Sequence, residues 1–174
     1  MTNTLICTVG GSHQPIVTAI NELQPDHLIF ICTDKDPATG QPGSEKQITG
    51  KGNCIKAKYS DENDNLPNIP MQTKLSPEQY QVYLTPADDL DVIYQTCLEA
   101  IQQIYSQNPK ASITADYTGG TKSMSAGLVM AAMEYPDIQL QLVTGARKDL
   151  LKVHDGQYAA TANSQQIRYQ RQIA

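Results

Sequence analysis

Two stretches of the chain combine paired glycines with hydroxyls, and one adds a lysine. Thr8 to Ile16 reads TVGGSHQPI, and Ala115 to Gly127 reads ADYTGGTKSMSAG. Paired glycines let a backbone approach a ligand closely, and the unbonded N–H groups and positive pole of a following helix favour an anion. Ser12, Thr118, Thr121 and Ser123 add hydroxyls, although Ser and Thr after Gly are also ordinary helix caps. Either turn alone is what any strand-to-helix connection needs. Two of one design, each with hydroxyls, favour a phosphate site. Lys122 sharpens this, because a cation in a helix's first turn opposes the macrodipole by about 0.3–1 kcal/mol when exposed. A bound anion would offset that conflict. Asp116, at a strand end, is expected to orient the turn through backbone amides rather than perform acid–base chemistry.

Familiar motifs do not fit. TGGTKS is not a phosphate-binding P-loop, because its Gly and Lys are not adjacent and the leading glycine spacing is missing. TVGGSHQP lacks the GxGxxG spacing of dinucleotide enzymes, so a nicotinamide cofactor has weak support. Arg147 and His154 have six residues between them, an R-x6-H spacing similar to that of HEPN ribonucleases. Here they follow a strand instead of sitting on a helical pair, and the match is treated as coincidence. His13 and His27 have no carboxylate or cysteine beside them in sequence. A structural role is the default for both, with His13 the better placed to face a ligand. Cys7, Cys32, Cys54 and Cys97 are widely spaced with no CxxC, so buried reduced thiols are expected, and no metal site.

The elements that must position these turns can be read from pattern. Thr4 to Val9 is an apolar, β-branched run, and Ile16, Ala19, Ile20 and Leu23 follow Pro15 at helical spacing. His27 to Thr33 is a second buried strand, making a βαβ unit and favouring a parallel sheet. Asp34 to Gln79 is rich in Gly, Pro, Asn and Asp. It predicts an insertion with a short helix from about Ser44, that residue as its cap, and a mobile segment around 60–75. Tyr80 to Leu84 is the third strand, after which Thr85 is expected to cap a helix with Pro86 in its first position. Leu90, Ile93, Tyr94, Cys97, Leu98, Ile101, Ile104 and Tyr105 form its apolar stripe. A strand at Ala111 to Ala115, a helix at Thr121 to Glu134 and a strand at Gln139 to Thr144 follow. Residues 150–158 and 165–169 read as a closing hairpin with Asp155-Gly156 near its turn. The whole is a single α/β domain, Rossmann-like and three-layered, with a mainly parallel sheet and a short C-terminal β-hairpin.

A length of 174 residues suits one such domain. Thirteen Lys and Arg against 18 Asp and Glu leave a net charge of −5, which argues against general binding of duplex nucleic acid but not against a local phosphate pocket. The longest apolar-leaning stretch, Ala126 to Met133, is far shorter than the roughly 20 residues that span a bilayer. The start, MTNTLICTVGG, has no basic segment and no cleavage-like site. A cytoplasmic protein without a membrane partner is expected.

TVGGSHQPIVTAI together with DYTGGTKSMSAGLVMAA resembles the two hallmark motifs of CARF domains, the CRISPR-associated Rossmann-fold sensors of type III systems. YLTPADDLDVIY resembles the segment that enters the following helix in CARF proteins with the D-x-TGGTK motif. The likeness covers essentially the whole chain in element order. It implies a cyclic oligoadenylate ligand, with tetra-adenylate favoured, bound across a two-fold homodimer in antiviral signalling. Carried onto this sequence, Gly10, Gly11, Ser12, His13 and Gln14 form the first contact loop. Thr118, Gly119, Gly120, Thr121 and Lys122 form the second. Thr33 and Asp34, and Gly145 to Arg147, complete the rim. Most CARF proteins carry a C-terminal effector, whereas this chain is expected to end as its sheet does, without one.

Three functions compete. The first is a sensor that binds cyclic oligoadenylate and relays it through the dimer. The second is a ring nuclease, in which the ribose 2′-hydroxyl attacks the adjacent phosphorus without metal. That chemistry needs in-line geometry and charge stabilisation more than a strong base, and Ser12 and Lys122 are its candidate catalytic residues, by positioning and by charge neutralisation. The third is a generic nucleotide-binding Rossmann protein acting as a monomer.

Overall fold

The structure, a computed structural model, describes residues 2–58, 60–146, 155–158 and 162–163. Its centre is β1 (Asn3–Thr8), whose side chains alternate between the two faces of the sheet. Leu5 and Cys7 join one core and Ile6 the other, so helices must cover both faces. The connection through α1 (Gln14–Leu23) returns the chain parallel to β1 as β2 (His27–Thr33), pairing Leu5 with Leu28 and Cys7 with Phe30. Pro15 lies in the first turn of α1, and Ile16, Ala19 and Ile20 bury its inner face.

Residues 34–79 fold as a small insertion. It contains α2 (Lys46–Thr49), β3 (Asn53–Ile55), β4 (Leu66–Pro67) and α3 (Ile69–Gln72), closed by a 3-10 turn at Pro77–Gln79. Ile48, Cys54, Ile55 and Ile69 are buried in the α1-side core. Part of the segment read as mobile is therefore anchored: Ile69 and Pro70 are buried, and Asp64 pairs with Lys46 at 2.7 Å. Asp61 accepts from Lys58 N and Asn65 Nδ2, contacts that hold its carboxyl below the ordinary range. Ser44 does not cap α2. Its amide and hydroxyl bond Thr33 instead, and Glu45 stands at the cap.

β5 (Tyr80–Thr85) pairs parallel with β2. Thr85 is its last residue rather than a cap. The following helix, α4 (Leu90–Gln107), begins four residues later than the Pro86 start, with Asp89 Oδ1 accepting from Val92 N at 3.1 Å. Ile93, Cys97 and Ile101 of the expected stripe are buried, while Leu90 at its start is exposed. β6 (Ser112–Asp116) returns to lie beside β1, and α5 (Lys122–Ala132) crosses to β7 (Gln139–Gln141). The last strand read from sequence is divided at Leu142. Its second half, β8 (Val143–Ala146), leaves the sheet and pairs antiparallel with β9 (Asp155–Tyr158). Asp155-Gly156 is thus in a strand, not at a turn, and residues 165–169 lie outside those described. β10 (Ala162–Asn163) adds antiparallel to β7.

The sheet runs β10-β7-β6-β1-β2-β5, with five parallel strands and one antiparallel edge, and helices on both faces: a three-layer Rossmann-like α/β fold. Strand order reverses about β1, because β2 follows on one side and β6 is added on the other. Open parallel sheets bind ligands in the crevice at such a switch, outside the carboxyl ends of the strands. Both glycine turns sit there. Among the described residues, no helix is long and apolar enough to cross a membrane.

Candidate functional site

The two glycine turns follow neighbouring strands, β1 and β6, and meet backbone to backbone. A Cβ on Gly10 would lie 2.5 Å from the amide nitrogen of Gly120, and one on Gly119 would lie 2.3 Å from the carbonyl oxygen of Thr8. Gly120 also has φ +83°, a conformation other residues adopt only with strain. Close approach of two main chains is what these glycines provide. Thr8 Oγ1 donates to the Gly119 carbonyl at 2.7 Å, tying the second turn to the end of the first strand.

Two of the four hydroxyls that the sequence offers as ligand groups, those of Thr118 and Thr121, are engaged by neighbouring backbone. Thr121 caps α5 by accepting from Met124 N at 3.1 Å, and its hydroxyl donates to the Ala87 carbonyl. Thr118 Oγ1 accepts from Val143 N at 2.7 Å, where β8 departs from the sheet. Ser125, on the first turn of α5, donates toward the carbonyls of Tyr117 and Gly119. Lys122 is the first residue of α5, directly after the second turn, and is exposed. Ser123 and Ser12 are half-buried, and Gly11 and Gln14 are exposed.

Asp116 behaves as the sequence indicates. It is buried at the end of β6, where its Oδ1 accepts from Thr118 N at 2.8 Å and its Oδ2 from Gln141 Nε2 at 3.1 Å. Burial raises its pKa, opposed by these hydrogen bonds. His13 stands at the start of α1 and is buried, with its carbonyl accepting from Ile16 N and Val17 N. Thr33 ends β2 at the same sheet edge and is held by Ser44, while the adjacent Asp34 is exposed. Gly145 and Ala146 belong to the β8–β9 pair rather than to the end of a sheet strand, and Arg147 lies outside the described residues.

Gln47 is a contact that sequence reading missed: from α2 it donates through Nε2 to the Gly10 carbonyl. Nothing local in KQIT marks it, because the contact depends on how the insertion packs. Gln141 was likewise unmarked, being a polar position inside a strand run, and Thr8 was read only as the first residue of the turn stretch.

The four cysteines are buried and unbridged, and burial pushes the thiols of Cys32 and Cys97 up to about 12. They are packing groups and not nucleophiles at neutral pH. A cleft of about 340 Å³ opens at the opposite, amino edge of the sheet, near His27, Tyr80 and Gln107. Several of its polar groups are already paired, among them Gln103 with Tyr83 and Asn108 with Thr2. The glycine-turn edge, with an exposed cation and a helix N-terminus, offers the chemistry for an anion. The amino-edge cleft does not.

This architecture recurs in solved structures. Over 92% of its length the chain is similar to Enterococcus italicus Csm6 bound to cyclic hexa-2′-fluoro-hexa-dAMP, with TM-score 0.60, 16% identity and 35% of that chain covered. It is similar over 92% of its length to Can2 from Sulfobacillus thermosulfidooxidans in complex with cyclic tetra-adenylate, with TM-score 0.56, 14% identity and 36% of that chain covered. Protein VC1899 from Vibrio cholerae matches over 82%, with TM-score 0.54, 11% identity and 30% of that chain covered. The chain thus spans about a third of the length of the structures it resembles. No family model and no curated protein matches the sequence.

Proposed function

We propose that this domain binds a cyclic oligoadenylate across a two-fold dimer and acts as a sensor in type III CRISPR signalling. The observation that carries the reading is the backbone contact between the two glycine turns at the switch point, with the α5 N-terminus and the exposed Lys122 beside it. Backbone amides of Gly10–Gly11 and Gly119–Gly120, the Ser12 hydroxyl and the Lys122 ammonium supply the contacts to phosphodiesters. Thr118, Thr121 and Asp116 hold those amides in place. The shared fold supports the same ligand class, since two of the similar structures hold cyclic oligonucleotides.

A ring with two-fold symmetry matches two copies of this edge related by a C2 axis. Gly127 does not serve that interface, because it is buried against Ile93 of α4. The outward face of α5 exposes Lys122, Ala126 and Met130 at i, i+4 and i+8, a surface for a second copy. Incubation with cyclic tri-, tetra- and hexa-adenylate in EDTA, read by thermal shift and mass spectrometry, tests the function. A shift with an intact ring is expected. Cleavage would assign a ring nuclease with Ser12 and Lys122 at its centre, and no shift with any ring would leave a generic nucleotide-binding domain.

A further inference from the structure

The insertion reaches the first glycine turn through Gln47. It enters flush against the end of β2, where Ser44 N donates to Thr33 Oγ1 at 2.8 Å and Thr33 N donates to Ser44 Oγ at 2.9 Å. A Cβ on Gly43 would lie 2.1 Å from the Thr33 carbonyl oxygen, so only glycine lets the chain pass there. From this anchor α2 directs Gln47 at the first turn, and Nε2 donates to the Gly10 carbonyl. The other amide atom, Oε1, is buried without a hydrogen-bond partner. Turning the amide over would set two acceptors against each other, so the N–H must face Gly10. A leucine or methionine would fill the same space without stranding an acceptor. Gln47 is therefore placed there for its donor.

A trans peptide directs its C=O and N–H to opposite sides. With the Gly10 carbonyl held toward the insertion, the N–H of the exposed Gly11 is turned away from it. Paired glycines would otherwise let this peptide rotate at little cost. Gly120 packs against Gly10 as well, so the peptide is held by both the second turn and Gln47. We infer that Gln47 is a positioning residue, which fixes the Gly10–Gly11 peptide so that the Gly11 N–H is presented to a phosphodiester oxygen of the ligand. This rests on the ring-binding reading above and deepens it by making the insertion part of the site.

The test compares Gln47→Ala and the isosteric Gln47→Glu, which both lose the donor, with Gln47→Lys, which restores one. The readouts are the Gly10 carbonyl-carbon and Gly11 amide resonances of the unliganded protein, and the affinity for cyclic tetra-adenylate. Both donor-lacking variants should shift or broaden the two resonances and weaken binding about five- to ten-fold while staying folded at the assay temperature, with Gln47→Glu, which sets a carboxylate against a carbonyl, the less stable of the two. Gln47→Lys should return both toward wild type. Unchanged resonances in Gln47→Glu, or a lysine variant no better than it, would overturn the inference. Wild-type protein that takes up no ring would instead refute the proposed function, leaving the resonances to decide the positioning role alone.

Discussion

Lys122 sets an exposed ammonium at the positive end of its own helix, where it destabilises the unliganded protein slightly and gains most when an anion arrives. Lys122→Ala should therefore leave the melting temperature unchanged or raise it, while weakening cyclic oligoadenylate binding ten-fold or more, about 1.4 kcal/mol. Titration calorimetry on both proteins decides, and equal affinities would remove the cation from the site. Asp116 gives a second measurement at this scale. Burial raises its folded pKa above the unfolded value of about 3.9, so its contribution is fully present below that pH and is lost as pH rises through the folded value. Asp116→Asn keeps an acceptor for Thr118 N, and its new N–H₂ can meet the orphaned Gln141 Oε1 if that amide turns over. Relative to wild type, the variant should gain stability as pH is raised from about 4. Denaturant unfolding at several pH values measures this, and parallel profiles would contradict it. The role of Asp116 was legible in sequence because a carboxylate at a strand end, three residues before a glycine pair, can accept from the amides of the turn between them. The burial of His13 was not, since a polar residue at a helix start looks the same whichever way it points.

At the scale of elements, α4 and α5 pack side by side through Gly127, where a Cβ would lie 2.5 Å from Ile93 Cγ2. Gly127→Ala should cost about 1–3 kcal/mol by forcing the helices apart. Combining it with Ile93→Ala should cost less than the sum of the two changes, because alanine lacks the Cγ2 methyl that the added carbon meets. Chemical denaturation of the two single variants and the double variant checks this, and strict additivity would show that the helices do not press on each other there. Element order and the parallel sheet could be read from apolar runs and glycine punctuation, which are local signals. The errors arose where tertiary contacts overrode local chemistry. Ser44 has the composition of a cap but pairs with Thr33, and Thr85-Pro86 resembles a helix start although β5 extends through Thr85. Leu142 divides an apolar run because Val143 N is drawn to Thr118. Of the insertion, only a short helix and a mobile segment were read, since its buried Ile48, Ile55 and Ile69 come from three short elements with no common period.

For the whole molecule, a net charge of −5 makes electrostatic attraction to a polyanion a local property of one sheet edge. Two copies of that edge would concentrate the Lys122 charges and four glycine turns around one ring, which a single copy cannot do. The dimer and the ligand are thus one proposal. Titration of cyclic tetra- and hexa-adenylate in EDTA, with sedimentation of the same samples, tests it most directly. The account predicts a dimer that saturates at one ring per two chains with at least one ring size. A monomer taking up one ring per chain, or a protein that binds neither ring, would contradict it.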